Sequence, residues 1–157
     1  MYLEAAILQL QAGLLPWREF PRLAAEAIRS GRDGEALRVL SPLVGEPEDR
    51  IRRAAEGVPG VELRLISEVG APDRTRKQAL WALAQLHATD VVEGRVEAID
   101  GAAQILAVVR DDPDLLEATR PLEAWCEQLD LVEARVELRS RIVESAGLII
   151  STPPPPT

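Results

Sequence analysis

The stretch "DRTRKQALWALAQLHATDVV", residues 73–92, predicts the longest helix in the middle of the chain. Its apolar side chains recur every three or four residues, which is helical spacing, and His87 lies on the face they share. Asp73 is a residue type that caps helix N-termini, and Gly94 is expected to end this helix. Because similar spacing recurs along most of the chain, we predict an all-α fold.

Before residue 73, the same periodicity predicts four helices, which hold residues 3–10, 20–28, 36–40 and 51–58. Gly13 and Gly31 are placed to end the first two. Asp33 is expected to cap the third helix, and Pro47 to be the first residue of the fourth. These helices are joined by short connections.

One segment of this half, residues 58–72, is ambiguous. Val61, Leu63 and Leu65 alternate with charged residues, as they would in a β-strand. A strand without a partner would leave backbone groups unpaired, and nothing else in the chain reads as a second strand. We therefore expect a short helix or an extended linker here.

After Gly94, apolar residues predict a helix through Ile99 and Val109, and Asp112 before Pro113 starts the next one. Pro121 is expected to kink that helix or restart it. A last helix is expected through Leu131, Val132, Leu138, Ile142 and Val143, with Gly147 as its stop. The predicted fold is thus a compact bundle of about seven helices, a single domain over residues 1–150, followed by a flexible, disordered Pro-rich tail, "STPPPPT", at 151–157.

Composition narrows the classes of function. The chain has 157 residues, a formal net charge of −8, and only 3% aromatic residues, which favours a core of Leu, Ala, Val and Ile. A single cysteine, Cys126, excludes an internal disulfide and fits a reducing, cytoplasmic location. No apolar run approaches the ~20 residues of a membrane span. The negative charge disfavours nucleic acid and anionic membranes as partners.

Most of that charge falls in residues 90–133, where twelve Asp or Glu face three Arg, a net charge of −9. At the start of this segment Asp90, Glu93, Glu97 and Asp100 would share a face if they lay on one helix. They match neither a calcium-binding loop nor a di-iron motif, and Gly94 with Gly101 disfavours a continuous helix. We therefore expect Asp90 and Glu93 at the end of one helix and Asp100 near the start of the next.

Three further carboxylates lie in "RDDPD", residues 110–114: Asp111, Asp112 and Asp114. An oxygen-rich turn of this kind could bind a cation. A turn with Asp112 as the helix N-cap and Asp114 in the first turn explains every residue of it, and we prefer that interpretation. No metal and no cofactor is predicted.

His87 is the only imidazole, so no histidine pair can bind zinc, and it is expected to be a half-buried helix residue. An enzyme in which His87 acts as a general base with Asp90 or Glu93 is one alternative. Cys126, beside Trp125 on an apolar stripe, is expected to be a core thiol.

A second alternative is a DNA-binding regulator of the winged-helix type. Three predicted helices followed by the alternating residues 61–66 have the required order, with Arg50, Arg52 and Arg53 on the third helix. Four carboxylates on and just before that helix, Glu46, Glu48, Asp49 and Glu56, oppose the positive field that phosphate binding requires.

Two stretches, "VVEGRVEAIDGAAQILAVV" at 91–109 and "PLEAWCEQLD" at 121–130, carry a resemblance. With the composition of the whole chain, they resemble a group of small, Arg-, Ala- and Leu-rich all-helical bacterial proteins of unknown function. The resemblance implies an all-helical fold. It implies no activity and assigns no functional residue.

The expected function is non-enzymatic. We predict a protein-interaction module, of the kind found in immunity or antitoxin-like proteins, that meets a basic protein through an acidic surface. That partner surface is expected to include Asp90, Glu93, Glu97, Asp100, Asp111, Asp112 and Asp114. A homo-oligomer is also compatible with the sequence.

Overall fold

The computed structural model describes residues 2–127 and 135–154, and they are helical, with no β-strand among them. By their contacts they form two compact units, unit 1 (Met1–Arg76) and unit 2 (Lys77–Thr157). The all-α prediction is confirmed. The single domain expected for residues 1–150 stays a prediction.

Unit 1 has five α-helices, which are α1 (Tyr2–Gln11), α2 (Phe20–Arg29), α3 (Glu35–Leu40), α4 (Glu48–Glu56) and α5 (Val61–Glu68). Two 3₁₀ turns, Trp17–Glu19 and Ser41–Leu43, precede α2 and follow α3. Its core is formed by buried aliphatic side chains and one aromatic ring, mainly Phe20, Leu23, Leu37, Leu40, Ile51 and Leu65. The near absence of aromatic residues from the sequence is thus matched by a core of close-packed Leu and Ala.

The ambiguous segment contains a short helix, α5, over Val61–Glu68, and its other residues are turns or irregular. Val61 and Leu65 of α5 and the C-cap residue Val69 lie four residues apart on the face that meets the core, and Leu65 is fully buried. Leu63 falls on the opposite face and is 76% exposed. The apolar alternation is therefore compatible with a helix because one of its members points to solvent.

Two predicted caps in this half are wrong. The N-cap of α3 is Gly34, not Asp33, whose carboxylate instead accepts a hydrogen bond from the Gly34 N–H and pairs with Arg38. Asp73 lies three residues ahead of Arg76, the first residue of the next helix, which is too far for an N-cap. Pro47 is the N-cap of α4, one position earlier than predicted.

Unit 2 has five α-helices, which are α6 (Arg76–Val92), α7 (Ala98–Val109), α8 (Pro113–Ala118), α9 (Arg120–Glu127) and α10 (Arg135–Ser151). The described residues therefore hold ten helices, more than the seven or so predicted. The count is higher for two reasons. The ambiguous segment contains a helix, α5, and a new helix begins at Arg120, just before Pro121, so that α8 and α9 are separate.

The core of unit 2 is built around one buried aromatic side chain, Trp81 of α6, which is 1% exposed. Fully buried aliphatic residues from the other four helices complete it, among them Ile105, Leu115, Leu122 and Ile142. Helix α7 packs against α8, α9 and α10. Helix α7 thus lies against α8 and α9, and these three helices carry much of the acidic segment.

Gly147 does not end the last helix, as it was predicted to, since α10 continues to Ser151. Ile142, Ala146 and Ile149 continue one buried face past the glycine. That burial outweighs the ~1 kcal/mol by which glycine disfavours a helix. Ser151, the first residue of the predicted tail, is therefore helical, while residues 155–157 of the tail and the predicted helical residues Leu131 and Val132 lie outside the described part of the chain.

Candidate functional site

The four carboxylates at residues 90–100 do not share one helix face. Asp90 is in the last turn of α6, Glu93 follows its end, and Glu97 is the N-cap of α7, with Asp100 in its first turn. Gly94 turns the chain between the two helices with φ of +73°, a conformation that suits glycine. The structural interpretation of this stretch is confirmed, although Gly101 lies inside α7.

Arg95 lies between the first two of these carboxylates. Its Nε is 2.8 Å from Asp90 Oδ1, and its Nη1 pairs with Glu93. All three side chains are at least partly exposed, so these pairs add little stability. They do remove local negative charge from the part of the surface where a basic partner was expected to bind.

Glu97 has both a capping and a pairing role. One carboxylate oxygen accepts hydrogen bonds from the Ile99 and Asp100 N–H groups, and the other lies 2.6 Å from Arg139 Nε. The hydrogen bond from Arg139 and the two backbone N–H groups lower the pKa of Glu97. Glu97 is thus engaged within unit 2.

Two carboxylates of the turn at residues 110–114, Asp112 and Asp114, are also bound within unit 2. Asp112 caps α8 by accepting hydrogen bonds from the Asp114 and Leu115 N–H groups. Lys77 of α6 lies 2.5 Å from Asp114 Oδ2 and 3.9 Å from Asp112 Oδ1. The predicted N-cap is confirmed. In the described part of the chain, no group of three metal-ligating side chains converges.

In the part of unit 2 that the structure describes, three carboxylates have no basic side chain paired with them. Among the described residues, Asp100 of α7 and Glu123 and Glu127 of α9 form no ion pair, and we call these three the acidic triplet. Over residues 98–127, seven Asp or Glu face two Arg, a net charge of −5. Helices α7 and α9 pack against each other, so this charge is carried by adjoining elements.

A cleft of about 280 Å³ adjoins Glu123. It is lined by Pro113 and Leu116 of α8 and by Glu117, Arg120 and Glu123. Arg120 is held by Glu117 at 2.6 Å, which leaves the Glu123 carboxylate next to apolar surface. A Lys or Arg side chain could lay its aliphatic stem on Leu116 and its charge on Glu123.

Sequence reasoning did not single out Glu117, Glu123 or Glu127. It concentrated on clustered acids near glycines and prolines, and those are the ones that cap helices or pair with Arg and Lys. In a sequence, an unpaired carboxylate is indicated by the absence of a nearby basic residue. Glu127 has no basic residue within four positions on either side. Glu117 and Glu123 both lie three residues from Arg120, and only the structure shows that Arg120 pairs with Glu117.

His87 is half-buried in α6, and burial lowers its pKa, with Asp90 acting weakly in the opposite direction. It does not line the cleft beside Glu123. Cys126 is half-buried as well, and burial raises the pKa of its thiol, which disfavours the reactive thiolate.

The arginines that suggested a winged helix are partly engaged. Arg50 pairs with Glu46 at 3.0 Å and Arg52 with Glu48 at 3.2 Å, each one helical turn away. Residues 61–66, which the wing would need as a strand, lie in the helix α5.

Comparisons of the chain with protein-family models, with curated proteins and with solved structures found no match. The resemblance to small all-helical bacterial proteins therefore stays untested. None of the helices that the structure describes has the length and apolar character needed to span a bilayer.

Proposed function

We propose that the protein acts by binding a basic protein through the acidic surface of α7, α8 and α9 in unit 2. The observation that carries this proposal is the acidic triplet, Asp100, Glu123 and Glu127, which has no counter-charge among the described residues. Carboxylates left unpaired on adjoining helices raise the local negative potential, which accelerates encounter with a positively charged surface.

Five of the seven predicted partner-binding residues are already bound by other groups of unit 2. Asp90, Glu93, Glu97, Asp112 and Asp114 are held by Arg95, Arg139, Lys77 or backbone N–H groups. A partner would have to compete with those contacts. Asp100 keeps its place in the set, Asp111 contributes from an exposed turn with Arg110 at 3.9 Å, and Glu123 and Glu127 join it.

Affinity would come from apolar contact in the cleft beside Glu123. Charge alone gives association rate and salt dependence, whereas a side chain inserted against Pro113 and Leu116 buries apolar area. The partner chemistry that fits is a Lys or Arg side chain at the centre of a basic surface. Within this class, we propose an immunity or antitoxin role in the cytoplasm, in which the protein covers the basic site of a toxin.

Affinity capture tests the binding proposal. The full chain, immobilised, is exposed to cell lysate at low and at high salt beside a neutralised variant, Asp100→Asn, Glu123→Gln and Glu127→Gln. We expect a basic protein to be retained at low salt by the original chain and lost at high salt and in the variant. The matched control is Glu4→Gln, Asp49→Asn and Asp73→Asn, which removes three exposed carboxylates from unit 1 and should retain the partner.

The immunity role is tested by growth. Expression of the captured partner alone should arrest cells, and co-expression of the original chain should restore growth, while the neutralised variant should not. Retention of no protein at low salt, or equal retention by the neutralised variant, contradicts the binding proposal. A partner that is harmless when expressed alone contradicts only the immunity role.

A further inference from the structure

A second surface lies in unit 1, at the turn between α4 and α5. It is an open groove of about 460 Å³, and its lining includes Trp17, Glu56, Pro59, Val61, Glu62 and Leu63. Its volume is within the roughly 300–1,000 Å³ typical of ligand sites. We call it the Trp17 groove.

The Trp17 ring is held in place before any partner arrives. Its centroid lies 4.7 Å from that of Phe20, a buried residue of the core. On α4, the Arg52 guanidinium lies 5.8 Å from the ring centroid and is itself paired with Glu48. A rigid aromatic side chain loses little entropy on binding, which is the property of an interface anchor.

The apolar surface of the groove is unusually open to solvent. Leu63 is the most exposed large apolar side chain of the described residues, at 76%, and it adjoins Pro59 and Val61 in the lining. The Trp17 indole N–H donates to no acceptor among the described residues, so it is available to a carbonyl of a bound chain.

The negative charge of the groove favours an occupant that carries positive charge. Its lining contains two carboxylates, Glu56 and Glu62, and no Lys or Arg. Both are exposed, and neither forms an ion pair with any described residue. An occupant without positive charge would leave both carboxylates beside buried apolar contact, whereas Lys or Arg next to its apolar side chain would pair with them.

We propose that the Trp17 groove binds a peptide segment of another protein that inserts one large apolar side chain flanked by Lys or Arg. The apolar side chain packs between Trp17 and Leu63, and the flanking cations meet Glu56 and Glu62. This inference goes beyond the proposed function, because it concerns a different unit and does not depend on the acidic triplet.

The probe that tests it is a displayed library of random short peptides, selected on the immobilised full chain. We expect the enriched peptides to share an apolar residue flanked by Lys or Arg. In solution, one such synthetic peptide should shift the NMR signal of the Trp17 indole N–H. The Trp81 indole, which is buried and donates to the Thr152 carbonyl at 3.1 Å, serves as the internal reference that should not move.

Variants of the groove show which of its side chains contact the peptide. Leu63→Ser should weaken the peptide's affinity by at least about ten-fold, and Glu56→Gln with Glu62→Gln should weaken it at low salt and flatten its salt dependence. The matched controls are Val44→Ser, another exposed apolar residue of unit 1, and Glu4→Gln with Asp49→Asn. Both controls, and the neutralised variant of unit 2, should bind as the original chain does.

Three results would overturn the inference. They are a selection that enriches no peptide, enriched peptides without Lys or Arg beside the apolar residue, and an affinity that Leu63→Ser leaves unchanged. Because the neutralised variant of unit 2 is one of the controls, loss of the Trp17 groove and loss of the acidic surface give different patterns.

Discussion

At the scale of the residue, Glu68 holds the start of a helix from 32 positions away. Its carboxylate accepts hydrogen bonds from the Ala36 N–H at 3.3 Å and the Leu37 N–H at 3.0 Å, the groups that an N-cap side chain would satisfy. Gly34, the N-cap residue, makes room for it, since a Cβ there would lie 2.0 Å from Glu68 Oε1.

We therefore predict that Gly34→Ala displaces Glu68 and lowers the free energy of unfolding by about 1 kcal/mol. Gly34 is extended, with φ of 168°, so the loss is not backbone strain. Urea unfolding of the two single variants and the double variant measures it. In a Glu68→Ala background, Gly34→Ala should have almost no further effect, and full additivity of the two changes would refute this explanation.

Gly101 is a second glycine whose role is contact. It lies within α7, where alanine would normally favour the helix by about 1 kcal/mol. A Cβ at this position would lie 2.0 Å from Cγ2 of Val91, a stiff β-branched side chain of α6. Overpacking then outweighs helix propensity.

Gly101→Ala should consequently reduce the stability by about 1–3 kcal/mol. Adding Val91→Ala should recover part of that loss, because it removes the clashing methyl group. The midpoint of thermal unfolding of the three variants is the readout. A Gly101→Ala protein more stable than the original would show that the two helices are not closely packed at this point.

His87 gives the protein a pH dependence. Burial lowers its pKa from the ordinary 6.5, so the folded state disfavours the charged ring and the unfolded state takes up the proton first. The stability tied to neutral His87 is complete above about pH 6.5 and falls as the pH drops toward the lowered value. His87→Gln should reduce this loss between pH 7 and pH 5, as measured by urea midpoints, and an unchanged pH profile would contradict it.

At the scale of the element, two side chains of α6 bind the C-terminal end of α10. The Gln85 amide donates to the carbonyls of Ile149, Ile150 and Thr152, the nearest at 3.0 Å, and the Trp81 indole donates to Thr152. Carbonyls at a helix C-terminus have no partner within the helix, so these two side chains satisfy groups that water would otherwise hydrate.

Gln85→Ala should therefore loosen the last turn of α10 without unfolding unit 2. Hydrogen exchange of the backbone amides at residues 148–151 should accelerate several-fold, while that of α7 stays unchanged. Gln104→Ala, at an exposed position of α7, is the control. Equal exchange in the two variants would mean that Gln85 does not hold this end.

The helix boundaries show which features a sequence can predict. Asp112 caps the helix that directly follows it, and Gly94 ends the helix before it, so both follow from neighbouring residues. The predictions at Asp33 and Gly147 were wrong because the outcome depends on residues far along the chain: Glu68 caps α3, and Gln85 and Trp81 of α6 bind the end of α10 beyond Gly147. Local rules do not contain those contacts.

At the scale of the whole molecule, the same distinction applies to charge. The sequence correctly located the acidic segment in residues 90–133, but its most prominent carboxylates, from Asp90 to Glu97, are paired with Arg95 and Arg139. Arg139 lies 42 positions from Glu97, so this pairing depends on the fold. The unpaired carboxylates of α7 and α9 can be identified only after the ion pairs of the folded protein are known.

The most direct measurement is the affinity of the captured partner for the original chain and for the neutralised variant across a range of salt concentrations. If the acidic triplet carries the encounter, Asp100→Asn, Glu123→Gln and Glu127→Gln will weaken binding by at least about ten-fold at low salt and flatten its dependence on salt. Equal affinities and equal salt slopes for the two proteins would contradict the account.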